Sequence, residues 1–288
     1  MRKPILILII IHLTLFDSAF AQKKNNHSLL WEITGKGLKK PSYLFGTIHA
    51  ICPEDLIISE SVKNKISNSD QMYLEIDMDD PSIMLNSIQG MTMKDGNTLK
   101  KLLSEDDYKI VNNYFKDSVG FDLGMMGTAK PIILSSFLYG KMLGCKMPSA
   151  YDVSLMQEAK SQKKEIFGLE TLQEQMDVLD KIPYKKQAEM LVEMIKDFKK
   201  SSLELKNLIN DYKEQDLDKL YSDMQNSSDG IQDYEKDLLS VRNKKWIPVI
   251  EKQIKEKSTF FAFGAAHLAG KEGILQLLQK KGFKVKPI

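Results

Sequence analysis

Apolar positions fall into short strand-like runs at the two ends of the chain, with rows of helical spacing between them. Leu29-Leu30-Trp31-Glu32-Ile33-Thr34 reads as a strand, Gly35-Lys36-Gly37 as a turn and Ser42 to Ile48 as a second strand, which predicts a β-hairpin with a longish loop. Pro53-Glu54-Asp55 reads as a helix start, with proline in the first turn and acids where the helix dipole favours them. Met72-Tyr73-Leu74-Glu75-Ile76 is a third strand, so strand, helix and strand follow in the order of a βαβ crossover. From Pro81 to Lys160 apolar residues recur at spacings of three and four, as in Leu102, Leu103, Tyr108, Ile110 and Val111. Ile166 to Glu170 returns to strand, and Thr171-Leu172-Gln173-Glu174 has the form of a capping box. Charged helices occupy about Lys185 to Lys257. Strand Thr259–Phe263, turn Gly264–Gly270, helix Glu272–Lys280 and strand Phe283–Val285 then repeat the opening grammar. The pattern predicts an α/β fold with α+β insertions. A central mixed, largely parallel sheet is flanked by helices, and a sizeable helical insertion separates the N- and C-terminal strands. Residues 29–288 form a single domain in which 81–160 and 185–257 are mainly helical.

The first 21 residues stand apart from this grammar. Arg2 and Lys3 precede an apolar run from Pro4 to Phe16, and Ser18-Ala19-Phe20-Ala21 offers a small-residue cleavage site, the form of a signal peptide cut after Ala21. The run is shorter than the about 20 residues of a membrane span, so a secreted or periplasmic protein is expected, with an N-terminal anchor as the alternative. A polar, flexible stretch follows at 22–28. Removing residues 1–21 turns 41 basic and 39 acidic residues into 39 and 38. That balance gives no electrostatic case for nucleic acid or an anionic membrane as partner. Cys52 and Cys145 are the only cysteines. They read as a disulfide, as two inert thiols or, for Cys52 three residues after His49, as thiolate chemistry.

Candidate chemistry centres on histidine. Of four, His12 leaves with the signal peptide and His27 falls in the flexible stretch, and the other two stand in Gly46-Thr47-Ile48-His49 and Gly264-Ala265-Ala266-His267. Both follow an aromatic strand end, where an open parallel sheet binds its ligands. Glycine there lets the backbone turn sharply or approach a ligand closely. Imidazole serves as a metal ligand or a general acid and base, and a catalytic metal takes about three protein ligands. Glu75, at the end of a neighbouring strand, is the third candidate; as a structural group it would cap a helix or pair with lysine. Asp77, Asp79 and Asp80 read as turn formers and helix caps. Arg242 is the only arginine after cleavage, suited to a bidentate carboxylate contact or else to a plain surface charge. HExxH, G-x-S-x-G and P-loop motifs are absent.

Five blocks in order resemble the TraB/GumN family, related to Tiki-type metalloproteases and to the erythromycin esterase and ChaN-like group. They are Tyr43 to His49, Leu74-Glu75-Ile76-Asp77, Gly168-Leu169-Glu170-Thr171 with Gln175, Arg242-Asn243 with Trp246, and Gly264 to Gly270. The resemblance implies an α/β core and a site built from both Gly-x-x-His motifs and a glutamate. His49, His267 and Glu75 then hold a divalent metal (Mn, Co or Zn), Glu75 acts as ligand or base, and Arg242 and Glu170 are second-tier catalytic candidates. Cys52 departs from the family pattern. The leading expectation is a metal-dependent hydrolase acting on a peptide or protein; the alternative is a non-catalytic binding protein for a peptide signal, a glycan or haem.

Overall fold

The computed structural model describes residues 27–227 and 230–288. The expected signal peptide at 1–21 and most of the stretch 22–28 lie outside the described residues. His27 and Ser28 are within the fold: His27 bridges to Asp216, and Ser28 is buried with its hydroxyl donating to Leu30 O.

Strands β1 (Leu30–Thr34) and β2 (Ser42–Thr47) form the expected antiparallel hairpin, with Leu30 opposite Phe45. The helix expected at Pro53 does not start there. Residues 53–55 form a turn closed by the Asp55 and Leu56 amides on Cys52 O, and α1 (Glu60–Ser67) begins only after Ser59, whose hydroxyl accepts from Val62 N. Proline followed by acids suits a turn as well as a helix start, and Ser59 supplies the side-chain cap that Pro53 lacks. Strand β3 (Gln71–Leu74) ends one residue before Glu75.

The helical stretch that follows comprises α2 (Ser82–Met91), α3 (Leu99–Leu102), α4 (Glu105–Tyr114), α5 (Pro131–Ser135), α6 (Tyr139–Leu143) and α7 (Tyr151–Ser161). It is more broken than its periodicity predicts, with left-handed Gly120 and Gly144 ending two of its turns. Strand β4 (Glu165–Gly168) leads into α8 (Leu172–Leu179), where the Thr171–Glu174 capping box is present in both directions. Then come α9 (Tyr184–Lys196), α10 (Phe198–Lys213), α11 (Leu217–Gln225), α12 (Val241–Glu256), β5 (Thr259–Gly264), α13 (Ile274–Lys280) and β6 (Lys284–Pro287).

The six strands make one sheet in the order β4-β3-β5-β2-β1-β6. Strands β4, β3, β5 and β2 are mutually parallel, and β1 runs antiparallel to both β2 and β6. The β2-α1-β3 crossover is present, but β5 lies between its two strands. The carboxyl ends of four parallel strands therefore meet at one edge. The main core packs both faces of this sheet around Trp31, Leu44, Met72, Phe260, Phe261 and Phe263. A second core, including Leu99, Phe115, Leu138 and Leu191, holds the helical insertion against α9.

Two polar devices tie the insertion down. Cys52 and Cys145 form a disulfide with Cα atoms 5.9 Å apart, which selects one of the three expected cysteine states and removes Cys52 as a thiolate. Lys130, 1% exposed, meets Asp180 at 2.6 Å, and Lys94 reaches the same carboxylate at 2.9 Å. Burying an ammonium costs several kcal/mol on its own, so Asp180 fixes where the end of α8 can sit.

Candidate active site

Each of the four parallel strands delivers one candidate to the common edge. His49 follows β2, Glu75 follows β3, His267 follows β5 and Glu170 follows β4. Register brings them together: Thr47 lies opposite Gly264, Gly46 opposite Phe263, and Leu74 opposite Gly168. The glycines serve two different needs. A Cβ on Gly46 would stand 2.9 Å from Leu268 Cδ1 and 3.0 Å from Ala265 Cα, so its absence lets the turn carrying His267 lie against β2. A Cβ on Gly264 would stand 3.4 Å from both Glu75 Oε1 and His49 Nε2, so its absence leaves room between the two motifs.

Glu75 is the hub. Oε1 accepts from Gly264 N at 2.8 Å and faces His49 Nε2 at 3.8 Å and His267 Nε2 at 3.9 Å. Oε2 accepts from Arg242 Nη2 at 2.6 Å and from Gln175 Nε2 at 3.0 Å. Arg242, projecting from α12, also binds Glu170 through Nη2 at 2.6 Å and through Nε at 3.1 and 3.2 Å. It stacks on Trp246, whose indole N–H donates to Glu170 at 3.2 Å. One guanidinium thus bridges two buried carboxylates. Burial works against a charged Glu75, but Arg242 first, then His267 and His49, outweigh it and hold the carboxyl well below the usual carboxylate range. For Glu170 burial wins, and its pKa rises despite the Arg242 contacts.

The two histidines are oriented by different partners. Asn243 Oδ1 accepts from His267 Nδ1 at 2.6 Å, which leaves Nε2 without its proton and facing the site, where it accepts from Arg242 Nη1 at 3.1 Å. Burial first, then Arg242 and His49, lower the His267 pKa to about 3, against the pull of Glu75. His49 pairs through Nδ1 with Asp152 at 3.0 Å, and Asp152 also accepts from Thr47 Oγ1 at 3.1 Å. Desolvation opposes the charged ring of His49, but the Asp152 hydrogen bond and the charges of Glu75 and Asp152 outweigh it and raise its pKa to about 9.

Every site residue expected from the sequence is in this cluster. Asp152 went unseen, because an acid in the first turn of a helix reads as a dipole partner. It reaches His49 only because Ile51 and Ser149 exchange two backbone hydrogen bonds, a pairing that local sequence does not encode. Gln175, Asn243 and Trp246 were visible as part of family blocks but without roles.

The side chains are of metal-ligating types: two imidazole Nε2 atoms face one carboxylate oxygen, and both Nδ1 atoms are held from behind. Among the described residues no group of three or more His, Cys, Asp or Glu side chains is placed to hold a metal ion. The 3.8 and 3.9 Å separations slightly exceed the about 3.4 Å between donors on a tetrahedral zinc. Arg242 Nη1 occupies the lone pair of His267. From this cluster a cavity of about 900 Å³ extends between the sheet edge and α6, α9, α10 and α11.

No solved structure matches the chain. Among curated proteins it is similar to Metalloprotease TIKI2 of Danio rerio, 22% identical over 93% of this chain and 62% of the relative. It is also similar to Metalloprotease TIKI1 of Homo sapiens, 23% identical over 92% and 62%. The chain thus spans about six-tenths of the length of these relatives. The TraB/PrgY/gumN family model matches residues 29–287, from the first strand of the sheet to the last, and this chain belongs to that family.

Proposed function

We propose that the chain is an exported hydrolase of peptide bonds that works with a divalent metal at the sheet edge. The observation that carries this reading is the convergence of His49 Nε2 and His267 Nε2 on Glu75 Oε1 at 3.8 and 3.9 Å, with each ring fixed through its Nδ1. His49, His267 and Glu75 would hold the ion, which when bound supplies Lewis acidity and a water acidified toward neutral pH. Asp152 and Asn243 fix the two rings, and Asn243 keeps His267 Nε2 unprotonated. Arg242 engages all five of its N–H groups on Glu75, Glu170, Leu238 O and His267, so it fixes both carboxylates and the His267 ring in place. The near neutrality of the chain argues for a peptide partner over nucleic acid. The names of the TIKI relatives support the reaction class.

The Arg242 contact to His267 Nε2 favours a second reading of the same hydrolysis. Here His49, held by Asp152, takes the proton of the attacking water at Nε2, which its raised pKa of about 9 allows only in alkaline solution. Metal analysis of protein purified without added metal, followed by peptide cleavage with and without chelator, separates the two. About one metal per chain, with activity lost to chelator and restored by Mn, Co or Zn, is the expected result. Cleavage indifferent to chelator selects the second reading. Failure of metal-loaded protein to cleave any member of a peptide library sinks the hydrolase reading.

Export rests on the basic and apolar N-terminal segment and on the Cys52–Cys145 disulfide, which suits an oxidising compartment. Among the described residues no helix is long and apolar enough to cross a membrane. The intact mass of protein recovered from its native host should begin at Gln22.

A further inference from the structure

We infer that the cavity beside the site selects peptides in which apolar side chains are flanked by lysine or arginine. This specifies the substrate of the proposed hydrolase and rests on that reading for the chemistry, though not for the binding. The first observation is the charge of the wall. Glu193, Asp197, Glu204, Asp223 and Glu235 line the cavity against a single lysine, Lys200. The molecule as a whole carries 41 basic and 39 acidic residues, so a five-to-one excess of acid is local to this wall. These acids come from α9, the α9–α10 joint, α10, α11 and the segment before α12, so the excess belongs to the assembled cavity and to no single helix. Arg242 and His49, at the inner end, do not offset it, since the guanidinium is bonded to Glu75 and Glu170 and the imidazole to Asp152.

The second observation is an acceptor with no donor. Gln232 lines the same cavity, and its Oε1 is buried without a hydrogen-bond partner among the described residues. A buried acceptor left unpaired costs about 1–3 kcal/mol, which an N–H or ammonium of an occupant would recover. The third is the floor. Met142, Met190, Met194, Met224, Leu208 and Leu239 give it flexible, polarizable apolar side chains, which accept varied apolar groups without demanding one shape. A volume of about 900 Å³ holds several residues of an extended peptide at the histidine edge. An acidic peptide would meet like charge, and a purely apolar one would leave Gln232 Oε1 without a donor and draw nothing from the acid excess, although Glu204 meets Lys200 at 3.9 Å and Glu235 accepts from Tyr221.

The test uses two capped peptides with the same Leu-Met-Leu centre and a neutral fluorophore, one flanked by lysines and one by glutamates, with binding read by anisotropy. The lysine peptide should bind at least about tenfold more tightly at low salt, and the gap should narrow steeply in 0.5 M salt. In the Glu193→Gln/Asp197→Asn variant, which alters two exposed positions, it should fall to about threefold or less. If that variant melts below the parent, the salt dependence of the parent carries the test. Equal affinities, or a preference untouched by both salt and the variant, would overturn the inference. Cleavage is followed in parallel. Equal binding with cleavage of both peptides leaves the hydrolase standing and removes the selectivity, whereas preferential binding without cleavage does the reverse.

Discussion

His49 and His267 place the same ring in opposite surroundings. The His49 side chain is 64% exposed and that of His267 is 4% exposed, stacked against Trp246 with centroids 4.4 Å apart. Truncation should separate their structural and functional roles. His49→Ala leaves the buried Asp152 carboxylate with its Thr47 hydrogen bond and is expected to cost about 1–2 kcal/mol of folding stability. His267→Ala opens a void beneath Trp246 and strands Asn243 and Arg242, at a cost of about 2–4 kcal/mol. Urea denaturation measures that contrast, and isothermal titration with Mn, Co and Zn should show both variants losing metal. An equal loss of stability would mean that the two rings are not partitioned as described. Gly264→Ala is a finer probe. The backbone there, φ −48° and ψ 132°, suits alanine, but the new methyl would stand 3.4 Å from Glu75 and His49. Folding should be retained while metal affinity falls about tenfold or more. These roles were legible in part: Gly-x-x-His marks a strand end and a sharp approach, which is local information. The partner of each ring was not, because Asp152 and Asn243 arrive from helices distant in sequence.

Helix α8 matters through its two ends. Its first turn carries Gln175 onto Glu75, and its far end is held by Asp180 between Lys130 and Lys94. Burial works against a charged Asp180, but Lys130 and then Lys94 outweigh it and hold the carboxyl below the usual range. A depressed folded pKa contributes stability above the unfolded value of about 4, and that contribution is lost as pH falls through the folded value. Asp180→Asn should therefore cost about 3–5 kcal/mol at pH 7, since it strands a buried ammonium. The penalty relative to the parent should shrink below about pH 4. A difference constant with pH would count against the pair. The Cys52–Cys145 bond closes a 93-residue separation, and the Cys52→Ser/Cys145→Ser variant should lose about 2–5 kcal/mol in chemical denaturation. At this scale the strands and the Thr171 cap were readable because alternation and capping chemistry are local. The start of α1 was not, because proline and acids also build the turn under Cys52.

At the scale of the molecule, two cores face each other across the cavity. Thr47, His49 and the Gly264–His267 turn line it from the sheet side, and residues of α6, α9 and α10 line it from the other. Hydrogen exchange should resolve the two. The strands should exchange only through global unfolding, and the insertion core around Phe115 and Leu191 through a lower-energy opening. A bound peptide should slow exchange on both walls together; protection confined to the sheet edge would place the ligand elsewhere. The α/β class followed from periodicity, whereas the strand order did not. Nothing near Tyr43 or Met72 announces that Phe260 will separate them, since that pairing is set by the longest crossover in the fold.

Placing β5 between β2 and β3 also ties chemistry to the order of synthesis. His49 and Glu75 leave the ribosome early, but their strands touch only through β5, which is made near the end together with His267. A nascent or truncated chain lacking β5 keeps the first histidine and the carboxylate on strands that have no ladder to join them. Competence at this edge should therefore appear in one step, with the arrival of the late strand, and every shorter product should be inert.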